Sequence, residues 1–330
     1  MELGIDSARA GKTIREVLQQ ELGYSSNLIK KLKFSEGGIL VNGEFRTVRY
    51  VLCEGDVLSL KVEDSAADVS PYTIAAELPI AVVYEDEWIT VVNKPADMPA
   101  HPSLGHQMDT VSNALAWRYR NRPYVFRPVN RLDRDTSGCM LTANTRDASY
   151  KMYIYMTTGK IAKTYLAVLD GVPAEKNGRL VSYMHRVADS IIAREETTAD
   201  APDARIAITE YHVLWSDGSH SVVMAHPITG RTHQIRVQFA GIGCPVTGDD
   251  LYGAASPLIG RHALHSYQTC FPHPADGRPM AVTAPLHPDM LQLLDEIAGN
   301  REAVLTAAEA YCSERRSCVR KDDPHVEENP

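Results

Sequence analysis

The sequence predicts an α+β protein in which a small α/β module precedes a larger domain built on a mixed sheet, and three features carry that expectation. Beyond residue 77, short runs rich in β-branched and aromatic residues outnumber helical patterns, and turns rather than regular crossover helices separate them. Between 63 and 73 the chain reads EDSAADVSPYT, which is small, polar, acidic and aperiodic, as a linker is. With 330 residues, 44% of them hydrophobic, the chain can bury one large core and one small one. The expected divisions are a module over 1–62, a linker over 63–76, a main domain over 77–299 and a C-terminal tail over 300–330.

In the first module, Thr13 and Glu16 have the spacing of a capping box, and Ile14, Val17, Leu18 and Leu22 recur at helical intervals until Gly23. A second helix over 27–34 follows Ser25 or Ser26 as its cap, with Leu28, Ile29 and Leu32 inward and Lys30, Lys31 and Lys33 outward. A strand over 39–41, the turn pair Asn42-Gly43 and further β segments ending near 57–62 complete it. In the main domain, strands are expected over 80–84, 88–93, 164–169, 211–215, 221–225 and 282–284. Helices are expected over 110–120, 147–157 and 289–298, the last closed by Gly299. No role is legible after residue 300, and no solenoid repeat or low-complexity tract is present.

Composition excludes several classes. The N-terminus has no apolar run of signal-peptide length and no later stretch has the length to span a bilayer, so a soluble cytoplasmic protein is expected. Cys53, Cys139, Cys244, Cys270, Cys312 and Cys318 are scattered with no Cys-x-x-Cys pair, which supports neither a disulfide framework nor a zinc site. A net charge of -8 argues against positive potential over the whole surface, so any RNA-binding surface has to be local. Lys30, Lys31 and Lys33 form one basic patch, and the arginines at 118, 120, 122, 127, 131 and 134 crowd another.

Two stretches offer chemistry. In Arg131–Gly138 (RLDRDTSG), charged residues lead through a small polar turn into an apolar run, an arrangement that can hold a carboxylate at a cleft. On residue type alone Asp133 reads first as a turn cap or an arginine partner. In 229–236 (TGRTHQIR), two arginines, a histidine and a glutamine suit phosphate contact or the fixing of a carboxylate, or simply a solvated turn around a structural His233. The glycine pattern of a phosphate loop is absent.

Taken together, these stretches resemble the RluA-type, large-subunit pseudouridine synthases. The resemblance covers most of 80–288: Val91–Pro95 (VVNKP), His101-Pro102-Ser103, Arg131–Gly138, Ala162–Tyr165 (AKTY), 229–236, Gly241–Gly253 (GIGCPVTGDDLYG) and Arg261–Ser266 (RHALHS) occur in the family's order. Residues 12–62 resemble the S-four-like RNA-binding domain that often precedes this fold, a reading that the basic face of the second helix favours over a purely structural subdomain.

The resemblance implies a mixed, mostly antiparallel central sheet and an isomerase that converts uridine to pseudouridine in structured RNA. Ribosomal RNA is the expected partner and tRNA the alternative. By the family's motif, Asp133 and not Asp135 is the catalytic carboxylate, Arg236 pairs with it, and Tyr165 stacks on the target base. Arg131 fills the space left when the uridine is flipped out. Arg231 joins Lys30, Lys31 and Lys33 as expected RNA contacts. Neither a metal nor an organic cofactor is expected, since the reaction needs no redox change and no external donor, and a monomer is expected. Where relatives have His before Arg-Leu-Asp, this chain has Asn130, which bears on local hydrogen bonding and substrate fit. Two rival readings are an RNA-binding assembly factor that has lost turnover, which intact Asp133, Tyr165 and Arg236 oppose, and a hydrolase using Asp133 with His233, for which no nucleophile-base arrangement is indicated.

Overall fold

The computed structural model describes residues 2–22, 24, 26–35, 37–61, 69–70, 73–188, 190 and 192–315. Much of the 63–76 linker, as well as Gly23 and Ser25, therefore lies outside the described residues. Two sheets with separate cores are present.

The first sheet contains β1 (Glu2–Gly4), β2 (Ile39–Val41), β3 (Glu44–Phe45) and β4 (Val57–Leu60), antiparallel in the order β1-β4-β2-β3. Asn42 and Gly43 join β2 to β3 with φ of 52° and 81°, as a tight hairpin turn requires. The capping box forms: Thr13 Oγ1 accepts from the Glu16 backbone N–H at 3.2 Å, and the Glu16 carboxylate accepts from the Thr13 N–H at 2.7 Å. Helix α1 (Ile14–Glu16) then widens into a π-helical turn over Val17–Glu21 before α2 (Ser26–Phe34). Ile14, Leu18, Ile29 and Leu32 meet Ile39 and Leu58 in the small core, while Lys30 and Lys31 stay exposed.

The large sheet has ten strands among the described residues. They are β5 (Ala81–Glu85), β6 (Ile89–Lys94), β7 (Ser137–Ala143), β8 (Ala162–Asp170), β9 (Asn177–Arg186), β10 (Arg194–Thr197), β11 (Arg205–Ser216), β12 (His220–Pro227), β13 (Leu264–Pro272) and β14 (Pro279–Thr283). Their order is β10-β9-β11-β12-β8-β13-β7-β6-β5, with β14 beside β13. Among the described residues only β7 and β13 pair in parallel, so the sheet is mixed and mostly antiparallel. Strands β6 and β7 are buried on both faces, and alternate residues serve two cores: Val92 and Met140 point to one, Val91, Cys139 and Leu141 to the other.

Helix α3 (Val111–Arg118) is capped by Thr110, α4 (Arg146–Thr157) by Thr145, and α5 (Gln234–Gly241) follows His233. Pro288 opens α6 (Pro288–Ala298), and Gly299 closes it at φ 63°.

The region expected to be a tail begins differently. Arg301–Arg315 forms α7, whose Val304, Ala308 and Cys312 are buried in the large core, and Arg315 donates to Glu210 of β11 at 2.9 Å. Those three positions recur at i, i+4 and i+8, the spacing of one helix face, but Ala and Cys carry too little apolar signal to mark it in a polar sequence. Strands β9, β10 and β13 were also not legible: β13 buries polar residues such as His265, Ser266, Gln268 and Thr269, while β9 and β10, at one end of the sheet, are largely polar and little buried. Residues 316–330 lie outside the described residues.

Candidate active site

The Asp133 loop is built by pairing on both sides. Before it, the Val129 N–H donates to the Leu141 carbonyl at 2.8 Å, and Asn130 Oδ1 accepts from the Leu141 N–H at 2.8 Å. Asn130, the position that departs from the family's His, thus fastens the approach to the loop onto β7. After it, the Thr136 N–H donates to the Asp133 carbonyl at 3.2 Å, closing the turn. Thr136 and Ser137 then hydrogen-bond His262 Nε2 and His265 Nδ1 at 2.8 and 2.9 Å. Burial pushes both imidazoles down to about 3, so they act as neutral partners at any physiological pH. Gly138 has φ 106°, and a Cβ there would sit 2.3 Å from the Ser266 carbonyl oxygen, so a glycine is required where β7 meets β13.

Two buried cations hold the loop's backbone. Lys94, fully buried, donates to the carbonyls of Pro95, Met98 and Arg134 at 2.7, 2.9 and 2.7 Å. Burial pushes this ammonium down to about 7, while three carbonyl oxygens favour its charged form. Arg261 donates to the Asp135 carbonyl at 3.0 Å and to the Asp289 carboxylate at 2.7 Å. Every residue from Arg134 to Gly138 is therefore tied down by its side chain, its backbone or its lack of a Cβ, which leaves the Asp133 side chain as the group presented outward.

The second stretch is ordered by Gln234. Its Oε1 accepts from the Thr229 hydroxyl at 2.7 Å and the Arg231 N–H at 2.9 Å, and its Nε2 donates to the Ile208 carbonyl and the Thr209 hydroxyl, each at 2.9 Å. His233 takes a left-handed backbone at φ 58°, which lets α5 start at once and aims Arg236 inward. Arg236 is 6% exposed and makes a two-pronged pair with Asp249, Nε to Oδ2 at 2.6 Å and Nη2 to Oδ1 at 2.7 Å. Its remaining nitrogen, Nη1, reaches Asp133 Oδ2 at 3.5 Å. The expected pairing is present, but it is the longer of two, and the tight partner is Asp249.

Burial opposes the charges on this pair and the pairing outweighs it: Asp249 is held below the ordinary aspartate range by Arg236, and Arg236 is held above the ordinary arginine value by Asp249 and Asp133. His233 Nε2 lies 3.8 Å from Asp133 Oδ2, and its Nδ1 bonds the Tyr252 hydroxyl at 2.8 Å. Burial lowers the His233 pKa despite Asp133, so Arg236 supplies the positive charge beside that carboxylate at neutral pH. Asp133 Oδ1 accepts no hydrogen bond from any described residue.

Asp133, Tyr165, Arg131, Arg231 and Arg236 all line one cleft of about 1450 Å³. Tyr165, on β8 between Ala225 of β12 and Ser266 of β13, is 7% exposed, and burial raises its phenol pKa so that it stays protonated. Arg131 is exposed at the rim. Lys30, Lys31 and Lys33 do not line the cleft; they belong to the first sheet's module, where Lys33 lies over the Phe34 ring. The described lining carries seven Lys and Arg (131, 134, 160, 163, 205, 231, 236) against one acidic residue, Asp133. In a chain of net charge -8, this is a local concentration of positive charge. Among the described residues no cluster of three or more His, Cys, Asp or Glu could hold a metal, and no helix is long and apolar enough to cross a membrane.

Residue reasoning missed Asp249, Tyr252 and Lys163. Asp249 stood within the quoted GDDLYG motif, but nothing in adjacent Asp249 and Asp250 says which one turns inward.

Comparison with known proteins identifies the family. Residues 89–241 match the family model for RNA pseudouridylate synthase. The chain is 38% identical over 276 residues to the uncharacterized RNA pseudouridine synthase YjbO of Bacillus subtilis, covering 83% of this chain and 95% of that one. It is 32% identical over 324 residues to ribosomal large subunit pseudouridine synthase D of Xanthomonas campestris, covering 92% and 93%. The fold is shared with human RNA pseudouridylate synthase domain containing 1, at a TM-score of 0.53 and 24% identity over 64% of this chain and 86% of that one. With a relative this similar over nearly its whole length, this chain belongs to the RluA-type RNA pseudouridine synthases, isomerases that act on RNA.

Proposed function

We propose that the chain modifies ribosomal RNA, drawing a uridine out of its stack and isomerising it with Asp133 as the catalytic carboxylate. The observation that carries this reading is the asymmetry of Asp133: Oδ2 is held by Arg236 at 3.5 Å while Oδ1 is left for a ligand, beside Tyr165 in a cleft whose other charges are positive. The reaction breaks the bond from ribose C1′ to ring nitrogen N1, turns the uracil, and joins C1′ to ring carbon C5; the C5 proton leaves and N1 gains one. A carboxylate suits C1′ by attacking it, by stabilising a cation-like centre there, or by removing a neighbouring ribose proton before elimination.

In this reading Tyr165 stacks on the extracted uracil, its protonated hydroxyl able to donate, and Arg131 fills the gap left in the RNA stack. Arg231 contacts the RNA backbone. Residues 1–62 serve as an S-four-like RNA-binding module through Lys30, Lys31 and Lys33, and the chain works as a monomer in the cytoplasm. Ribosomal RNA is favoured because relatives such as those of Xanthomonas campestris and Pseudomonas aeruginosa are named ribosomal large subunit pseudouridine synthase D.

The test is a pseudouridine map of RNA from cells lacking the protein, then supplied with the native chain or Asp133→Asn. Specific ribosomal sites are expected to vanish, and only the native chain should restore them. Loss confined to tRNA would redirect the substrate, and an unchanged map would contradict the reading.

A further inference from the structure

Five of the seven cleft cations, Arg131, Lys160, Lys163, Arg205 and Arg231, form no ion pair with any carboxylate among the described residues. Three of them, Lys163, Arg205 and Arg231, belong together. Lys163 enters the cleft from β8, and its ammonium lies 3.7 Å from where a Cβ on Gly230 would stand, so it faces the loop that bears Arg231. Arg231 is tethered by its Nε, which donates to the Ile206 carbonyl at 3.0 Å, directly after Arg205 in β11. That bond leaves the two terminal nitrogens of the guanidinium for another acceptor. Burial and the Arg205 charge both work against the charge on Arg231, and burial works against Lys163, with no anion among the described residues to offset either. Two partly buried cations with the exposed Arg205 charge beside them are a costly arrangement unless a ligand supplies the missing negative charge.

We propose that Lys163, Arg205 and Arg231 form a phosphodiester subsite on the cleft wall formed by β8 and β11, gripping the RNA backbone next to the nucleotide presented to Asp133. The subsite rests on the RNA-modifying reading above and extends it with two residues, Lys163 and Arg205, that make the grip three-pronged. A phosphodiester fits better than a carboxylate ligand, since the fixed fork of Arg231 and two further point charges surround one anion with several oxygens. The flat stacking and apolar contacts of a base are supplied elsewhere, by Tyr165.

The test uses the full chain and a fluorescein-labelled RNA stem-loop with uridines in its loop, with affinity measured across KCl concentrations. Removing one cation that neutralises a phosphate should lower the slope of log affinity against log salt by about 0.7 to 0.9. Lys163→Ala and Arg205→Ala are expected to do so singly and to add in the double variant, with affinity falling several-fold per substitution. Lys163→Arg, which keeps the charge, should retain the native slope, and circular dichroism identifies any variant that has lost its fold. Arg278→Ala, at an exposed arginine paired with Asp276 outside the cleft lining, should leave the slope unchanged. A native slope in the folded double variant, or a slope lowered equally by Lys163→Arg, overturns the subsite. Asp133→Asn separates the two proposals: if it still forms pseudouridine, the catalytic reading fails, while the salt slopes judge the subsite independently.

Discussion

The loop around Asp133 and the loop around Asp249 each offer a carboxylate to Arg236, on opposite terms. Asp249 is 1% exposed, takes two short hydrogen bonds from the guanidinium, and has no access to the cleft lining. Asp133 keeps about a quarter of its side chain exposed (27%), takes one long contact, and lines the cleft. One carboxylate is closed off by its pairing and the other keeps an oxygen open to the cleft. The difference teaches that an arginine can hold an accessible carboxylate in place without saturating it, provided a buried third group fixes the arginine.

The most disruptive way to break this division is Arg236→Ala, which strips both carboxylates of their shared cation and leaves Asp249 buried with only the Leu251 and Tyr252 N–H groups against its charge. It should destabilise the fold by about 3–5 kcal/mol and cut turnover by about 10³-fold, read by denaturant unfolding and by pseudouridine formation. Asp249→Asn is the sharper probe. Arg236 keeps a hydrogen-bonding neighbour but loses its charge partner, so about 2–3 kcal/mol of stability should go, with turnover falling about 10²-fold as the guanidinium shifts under Asp133.

The same pair sets an acid limb. Asp249 ionises in the folded chain below its unfolded value of about 3.9, so in that window the unfolded chain binds more protons and stability rises with pH. Stability from this pair is thus present above about pH 4 and lost as pH falls through the folded value. Unfolding midpoints measured from about pH 5 downward should fall less steeply in Asp249→Asn than in the native chain. The smallest effect belongs to Asn130→Ala, which frees the Leu141 N–H at the entrance to the Asp133 loop and should cost about 1 kcal/mol with only a modest loss of turnover.

Much of this was legible in the sequence where local chemistry decides the outcome. The Thr13–Glu16 capping box and the Gly299 stop are written in a few neighbouring residues, and the structure forms both. The mixed sheet was legible from its apolar strands, yet β13 was not, because its buried Ser266, Gln268 and Thr269 look like surface residues until their neighbours in the sheet are known. Asp133 and Arg236 are brought together from 103 positions apart, a meeting that the motifs implied and spacing alone could not supply. Asp249 stayed hidden for the same reason: a carboxylate's partner is a tertiary fact, and Asp249 and Asp250 are chemically identical in the chain. The helix α7 was missed because its buried stripe is made of Val304, Ala308 and Cys312, small side chains that register weakly as apolar.

The most direct test of the division between the two carboxylates is the single-turnover rate of Asp133→Asn on an RNA whose modified uridine has been mapped, with its melting temperature taken alongside. The account predicts loss of pseudouridine formation by about 10³-fold or more with melting close to native, because this side chain's only contacts to Arg236 and His233 are long. Near-native turnover in that variant, or a collapse in its stability comparable to that of Asp249→Asn, would contradict it.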